Sequence, residues 1–249
     1  MTNPSHIIFL YLGMVLCVWG CSDSKDPNSC RGVSSIPLGF NSCLSIEHPS
    51  LPEAEKIKVE NLITSGFRSI NRLMDVDEVL IRVVSEPNLV VPEIGIGGFN
   101  PSSDEVIIAI NEKYRNLADA IDQALVPVLA HELHHAKRRR SVGYGNSLLE
   151  AAVTEGLADH FAIEVTGIDP FPWSTALTGS DLDEWTNTAS DTWNNPFYFH
   201  NSWFLGSDPS IPRWTGYAIG FDLVSSYLDA NPDRRASSLH NETASSFEP

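Results

Sequence analysis

Five consecutive positions, HELHH from His131 to His135, constrain this chain more than any other stretch. His131 and His135 are four apart, so on an α-helix their imidazoles leave one face on successive turns, close enough to hold a single ion. Val128, Leu125 and Leu129, just upstream, extend the same apolar face, so the histidines continue a surface that packs inside the protein. Glu132, one step round the helix, can reach water activated at such an ion, which gives the pattern HExxH. His134 lies near the same face and competes as a ligand; His135 is preferred because Glu132 then keeps its usual place in the motif.

A catalytic zinc site needs three protein ligands and an open fourth position. The segment NSLLEAAVTEGLADHFA supplies the third. Its Ser147 and Glu150 have capping-box spacing and Gly167 is placed to end a helix. Along that helix Leu148, Ala152, Glu155 and Asp159 share one stripe, so two carboxylates interrupt an apolar face. Buried carboxylates need partners. Glu155 fits as third ligand, and Asp159, one turn on, can accept a hydrogen bond from the other ring nitrogen of His131 and fix its tautomer. The short turn around GYGN favours an antiparallel pair that brings the two faces together.

The remaining pattern is mostly helical with a small sheet. Residues 53–74 carry apolar positions at helical spacing (Ile57, Val59, Ile63, Phe67, Ile70, Leu73). Val79–Val84 and Val106–Ile110 read as strands. Gly95, Gly97 and Gly98 between them make no phosphate loop, since no GK[ST] follows; a bend or bulge beside an edge strand is the expected use. Helical pattern runs from Asn116 through Arg140, with Pro127 either kinking or splitting it. The chain then reads as aromatic loop from Gly167 to about Pro212, followed by a helix from Trp214 to Leu228 in which Gly216 and Gly220 permit close packing. Trp173, Trp185, Trp193, Phe197, Tyr198, Trp203 and Phe204 either line an apolar cleft or cover a core.

The N-terminus carries a different message. Residues 1–20 hold no Lys, Arg, Asp or Glu and include the apolar run Ile7–Trp19, which ends in Gly20 and Cys21. This looks like a bacterial lipoprotein signal, implying cleavage before Cys21, acylation of its thiol and a lipid-anchored domain in the cell envelope, facing the periplasm, with Ser22 pointing to the outer membrane. Residues 21–51, rich in Ser, Pro, Asn and Asp, read as a tether in which Cys30 and Cys43 can pair in an oxidising compartment. Residues 52–249 then form the catalytic domain.

The formal net charge is −16, which argues against a nucleic-acid partner. The cations Lys137–Arg140 read as complements to a helix C-terminus.

HELHHAKR, LLEAAVTEGLADHFA and IPRWTGYAIGFDLVSSYL together resemble the predicted zinc-dependent proteases grouped as domain of unknown function 2268, and HExxH followed by Glu155 and Asp159 resembles the gluzincin metallopeptidases. The resemblance, from about Val79 to the C-terminus, implies a zincin-like α+β fold, a bound Zn2+ and a protein or peptide substrate. It implies further that Glu132 acts as general base and that Tyr217, Arg213 or His200 stabilises the oxyanion. Two other readings stay open: a zinc-clipped lipoprotein without activity, and a hydrolase of a cell-wall amide.

Overall fold

The computed structural model describes residues 35–249. Cys21, Cys30 and the lipoprotein signal lie outside the described residues. Within them the chain is a mixed α+β protein with six α-helices and one five-stranded sheet. The strands are β1 (Ile36–Gly39), β2 (Ser42–Glu47), β3 (Leu80–Val84), β4 (Ile96–Ser102) and β5 (Glu105–Ile110), in the order β1-β2-β3-β5-β4. β2, β3 and β5 run parallel, while β1 and β4 form antiparallel edges.

Three of these strands depart from the sequence expectation. β1 and β2 come from the stretch expected to be tether. Ser42, Cys43, Leu44 and Ser45 are all buried, so β2 is an interior strand whose serines and cysteine break the two-residue alternation that marks a half-buried one. The stretch expected as a glycine loop is β4, which tolerates two glycines and Pro101 because it is an edge strand. Its register slips between Phe99 and Ser102, a bulge within the strand itself.

The helices are α1 (Glu53–Leu73), α2 (Leu117–Arg139), α3 (Leu148–Thr166), α4 (Gly179–Ser190), α5 (His200–Phe204) and α6 (Thr215–Ala230). α2 runs through Pro127 as one helix. α3 begins on the Ser147/Glu150 capping box and ends at Gly167 in the left-handed conformation, φ +69°, as its sequence predicts. α4 and α5 lie in the stretch expected to be loop; α4 buries only Ala189, too little for apolar periodicity to mark it. On α1, Ile57 and Leu73 face solvent, while Val59, Ile63, Phe67 and Ile70 pack inward. No helix among the described residues is long and apolar enough to cross a membrane.

Two cores result. One joins α1 and α2 to the sheet through Phe67, Ile81, Ile108 and Leu129. The other joins α3 and α6 to the C-terminal residues through Leu157, Trp203, Phe204 and Phe247. Where α3 meets α6 the backbones nearly touch: a Cβ on Gly156 would lie 2.1 Å from the Gly220 carbonyl oxygen, and one on Gly220 1.9 Å from that of Ala152. Gly216 instead faces the ring of Phe204.

Candidate metal centre

α2 packs on α3 and on β4, and these contacts assemble the candidate site. His131, Glu132, His135, Glu155 and Asp159 are all buried. The Nε2 atoms of His131 and His135 stand 2.9 Å apart, and Oε2 of Glu155 lies 3.1 Å from the first and 3.4 Å from the second. Ligand atoms around a tetrahedral zinc ion sit about 3.3 Å apart, so the three donors have the spacing that such an ion requires. They are the one group of this kind among the described residues.

Their protonation fits as well. Asp159 accepts from Nδ1 of His131 at 2.8 Å, from Trp173 Nε1 at 3.1 Å and from the Ser174 hydroxyl at 2.6 Å. A carboxylate surrounded by donors makes Nδ1 of His131 the protonated nitrogen, leaving Nε2 as the one that turns its lone pair to the centre. Burial works against charge on His131, but the hydrogen bonds and charges of Asp159 and Glu155 outweigh it and hold its pKa well above the usual value. Burial likewise opposes charge on Glu155, and the two histidines overcome it, keeping the carboxyl well below its usual range. Three electron-rich atoms packed this closely call for a cation among them, either a proton or a metal ion.

A family model described as a predicted Zn-dependent protease, domain of unknown function 2268, matches residues 59–248. The chain belongs to this family. Comparison with curated proteins and with solved structures found no match. The zinc dependence in the description of this predicted Zn-dependent protease family agrees with the donor set of His131, His135 and Glu155.

The site opens on a cleft of about 730 Å³ whose lining includes Gly98, Glu132, Arg139, Tyr144, Tyr198 and Tyr217. Glu132 rests against β4 where only a glycine fits: a Cβ on Gly98 would lie 2.4 Å from its Oε1. Burial raises the Glu132 pKa, with His131 and His135 pulling against it. His134 turns away from the ligand group; it is fully buried, with Nε2 3.4 Å from the Ala236 carbonyl and its ring near Phe161. Burial pushes its pKa well below the usual value; its place away from the His131, His135 and Glu155 group is what sets it apart from His135.

The three expected oxyanion donors all line the cleft but differ in freedom. Arg213 pairs with Glu93 at 2.7 Å and stacks on Trp214. His200 lies flat on Phe204, with Nδ1 3.0 Å from the Tyr198 hydroxyl. The Tyr217 ring packs edge-on to Phe204, and burial together with Glu155, Asp159 and Glu132 raises its pKa well above the usual value, so the phenol keeps its proton.

Two members of this neighbourhood, Tyr144 and Ser174, were not expected from the sequence, and Trp173 was expected only as cleft lining or core cover. Tyr144, inside the GYGN turn, donates to Oε1 of Glu155 at 2.5 Å. Trp173 and Ser174 reach Asp159 from the stretch expected as loop. The run Lys137–Arg140 is not a uniform cationic helix end, because Arg138 is buried and donates to Thr154 and to the carbonyls of His240 and Glu242. Gly98, which meets Glu132 across the α2–β4 packing, carries no local signal either.

Proposed function

We propose that the chain is a zinc-dependent peptidase with a gluzincin-like site on a zincin-like scaffold, acting on protein or peptide substrates. The observation that carries this reading is the convergence of His131 Nε2, His135 Nε2 and Glu155 Oε2 within 3.4 Å of one another beside the buried Glu132. His131, His135 and Glu155 would hold a zinc ion, which when bound would supply polarisation of the substrate carbonyl and a water pKa lowered to about 7. Glu132, its pKa raised by burial, takes a proton from the attacking water and returns it to the leaving nitrogen. Tyr217 donates its phenol hydrogen to the carbonyl oxygen as negative charge develops there. Asp159 keeps His131 in the tautomer that binds metal. Gly98 leaves room for the Glu132 carboxylate.

The test is metal analysis and peptide-library hydrolysis on residues 35–249 and on the Glu132→Ala variant. One zinc per chain in both proteins is expected, with hydrolysis in the variant lower by about a hundredfold or more. A parent protein that takes up no zinc would end this reading.

We further propose that Cys21 is lipidated and anchors the domain in the bacterial envelope, a reading supported by the uncharged apolar segment before it. Incorporation of labelled fatty acid that disappears in Cys21→Ser is the expected result, and equal labelling of the two forms would refute it.

A further inference from the structure

Arg139 stands four residues beyond His135 on α2, so it follows His131 and His135 along the same face, about 6 Å further along the axis. It lines the same cleft as the candidate ligands. Two neighbours hold it. Its Nε donates at 2.6 Å to Oδ1 of Asn100, and its guanidinium carbon lies 5.6 Å from the centre of the Tyr144 ring, within cation–π range.

Asn100 is itself a fixed support. It is buried on β4, and its Nδ2 donates to the carbonyls of Ser102 at 2.5 Å and Glu105 at 2.7 Å. Both amide hydrogens are therefore committed and Oδ1 can only face the arginine. With Nε so occupied, the outer Nη pair remains, and among the described residues it makes no ion pair within 4 Å. A planar two-pronged donor already held in place matches a carboxylate.

The other lining arginine, Arg213, is matched by Glu93. Arg139 attracts Glu132 by charge without an ion pair within 4 Å among the described residues, which leaves its Nη pair open toward the cleft.

We infer that Arg139 is a specificity-determining residue that receives a carboxylate of the substrate, one helical turn beyond the metal ligands. The inference rests on the peptidase reading above. The carboxylate has two chemical sources, the C-terminus of a peptide or an Asp or Glu side chain within one.

The experiment uses the zinc-loaded full chain with two pairs of randomised peptide libraries. One pair differs in a free or amidated C-terminus, and the other carries Glu or Gln at a fixed internal position. The parent is expected to favour the carboxylate member of one pair by about tenfold in kcat/KM, the size of one charge-assisted contact. Arg139→Gln should abolish that preference, and Arg139→Lys, which keeps the charge without the fork, should restore part of it. Loss of the free-terminus preference identifies the C-terminal carboxylate, and loss of the Glu preference identifies the side chain. Calorimetric binding of the same libraries to Glu132→Gln supplies a readout that needs no turnover. Binding preference that depends on Arg139, without hydrolysis by the parent, would uphold this inference and sink the peptidase reading. Hydrolysis with no carboxylate preference, or a preference that survives Arg139→Gln, would overturn the inference alone. Should Arg139→Gln fail to fold, the Arg139→Lys variant decides by the same ratio.

Discussion

The two cores of the molecule are built differently. Around the sheet, branched aliphatic side chains such as Ile63, Ile81, Val83 and Ile108 fill the space between layers. Between α3 and α6, alanines and glycines let backbones meet, and the indole and phenyl rings of Trp193, Trp203 and Phe204 cover the outside. The first kind of core holds α2 in place by volume; the second holds α3 by close approach, with Gly156 next in sequence to the candidate ligand Glu155. A lost methyl group in the first therefore changes energy alone, whereas an added one in the second moves the backbone that carries a ligand.

Ile81→Ala gives the largest expected effect, a loss of about 3 kcal/mol in unfolding free energy by denaturant titration, from transfer and cavity terms together. Zinc bound per folded chain should stay as in the parent. Gly220→Ala, whose new Cβ would sit 1.9 Å from a backbone oxygen, should cost about 2 kcal/mol by overpacking and should also weaken zinc binding in competition with a chelator. If Gly220→Ala lowers stability while zinc affinity is unchanged, the contrast between the cores fails.

Asp159→Asn changes no apolar core residue and removes the charge behind His131, so zinc affinity should fall by about tenfold or more, with a loss of about 1 kcal/mol in unfolding from the Trp173 and Ser174 donors that lose an acceptor oxygen. His135 makes the matching comparison: its Nδ1 is buried without a protein partner among the described residues, so no single outer contact of that ligand can be removed in the same way.

The smallest effect belongs to the sheet surface, where Arg82 of β3 reaches Glu47 of β2 and Glu105 of β5. The hydrogen bond from Arg82 holds the Glu47 carboxyl below its usual 4.5. A depressed carboxylate stabilises the fold at pH values above its unfolded pKa, and that contribution is lost as pH falls through the lower folded value. Because the pair is one-third exposed, acid titration of thermal unfolding in Glu47→Gln against the parent should differ by less than about 1 kcal/mol.

How much of this was legible in the sequence depended on whether the signal was local. The four-residue spacing of His131 and His135, the Ser147/Glu150 cap and the stripe carrying Glu155 and Asp159 are helix-periodic, and the structure brings those residues together. β2 escaped because an interior strand with two serines and a cysteine has no alternation to read, and β4 because its glycines answer to distant groups, Leu89 for Gly97 and Glu132 for Gly98. Tyr144, Trp173 and Ser174 escaped for the same reason, since each meets its carboxylate across a turn whose path no periodicity specifies.

The back of the HExxH helix is closed by the far end of the chain: the Ala236 carbonyl lies beside His134, the carbonyls of His240 and Glu242 accept from Arg138, and Phe247 completes the second core. During synthesis, then, α2 and α3 leave the ribosome long before the residues that neutralise their buried polar groups exist. A chain cut after Arg235 loses those carbonyls and should be open to added protease where the parent resists it. The candidate metal centre is thus tied to residues about a hundred positions further along the chain, which share the packing of the helix that carries two of its donors.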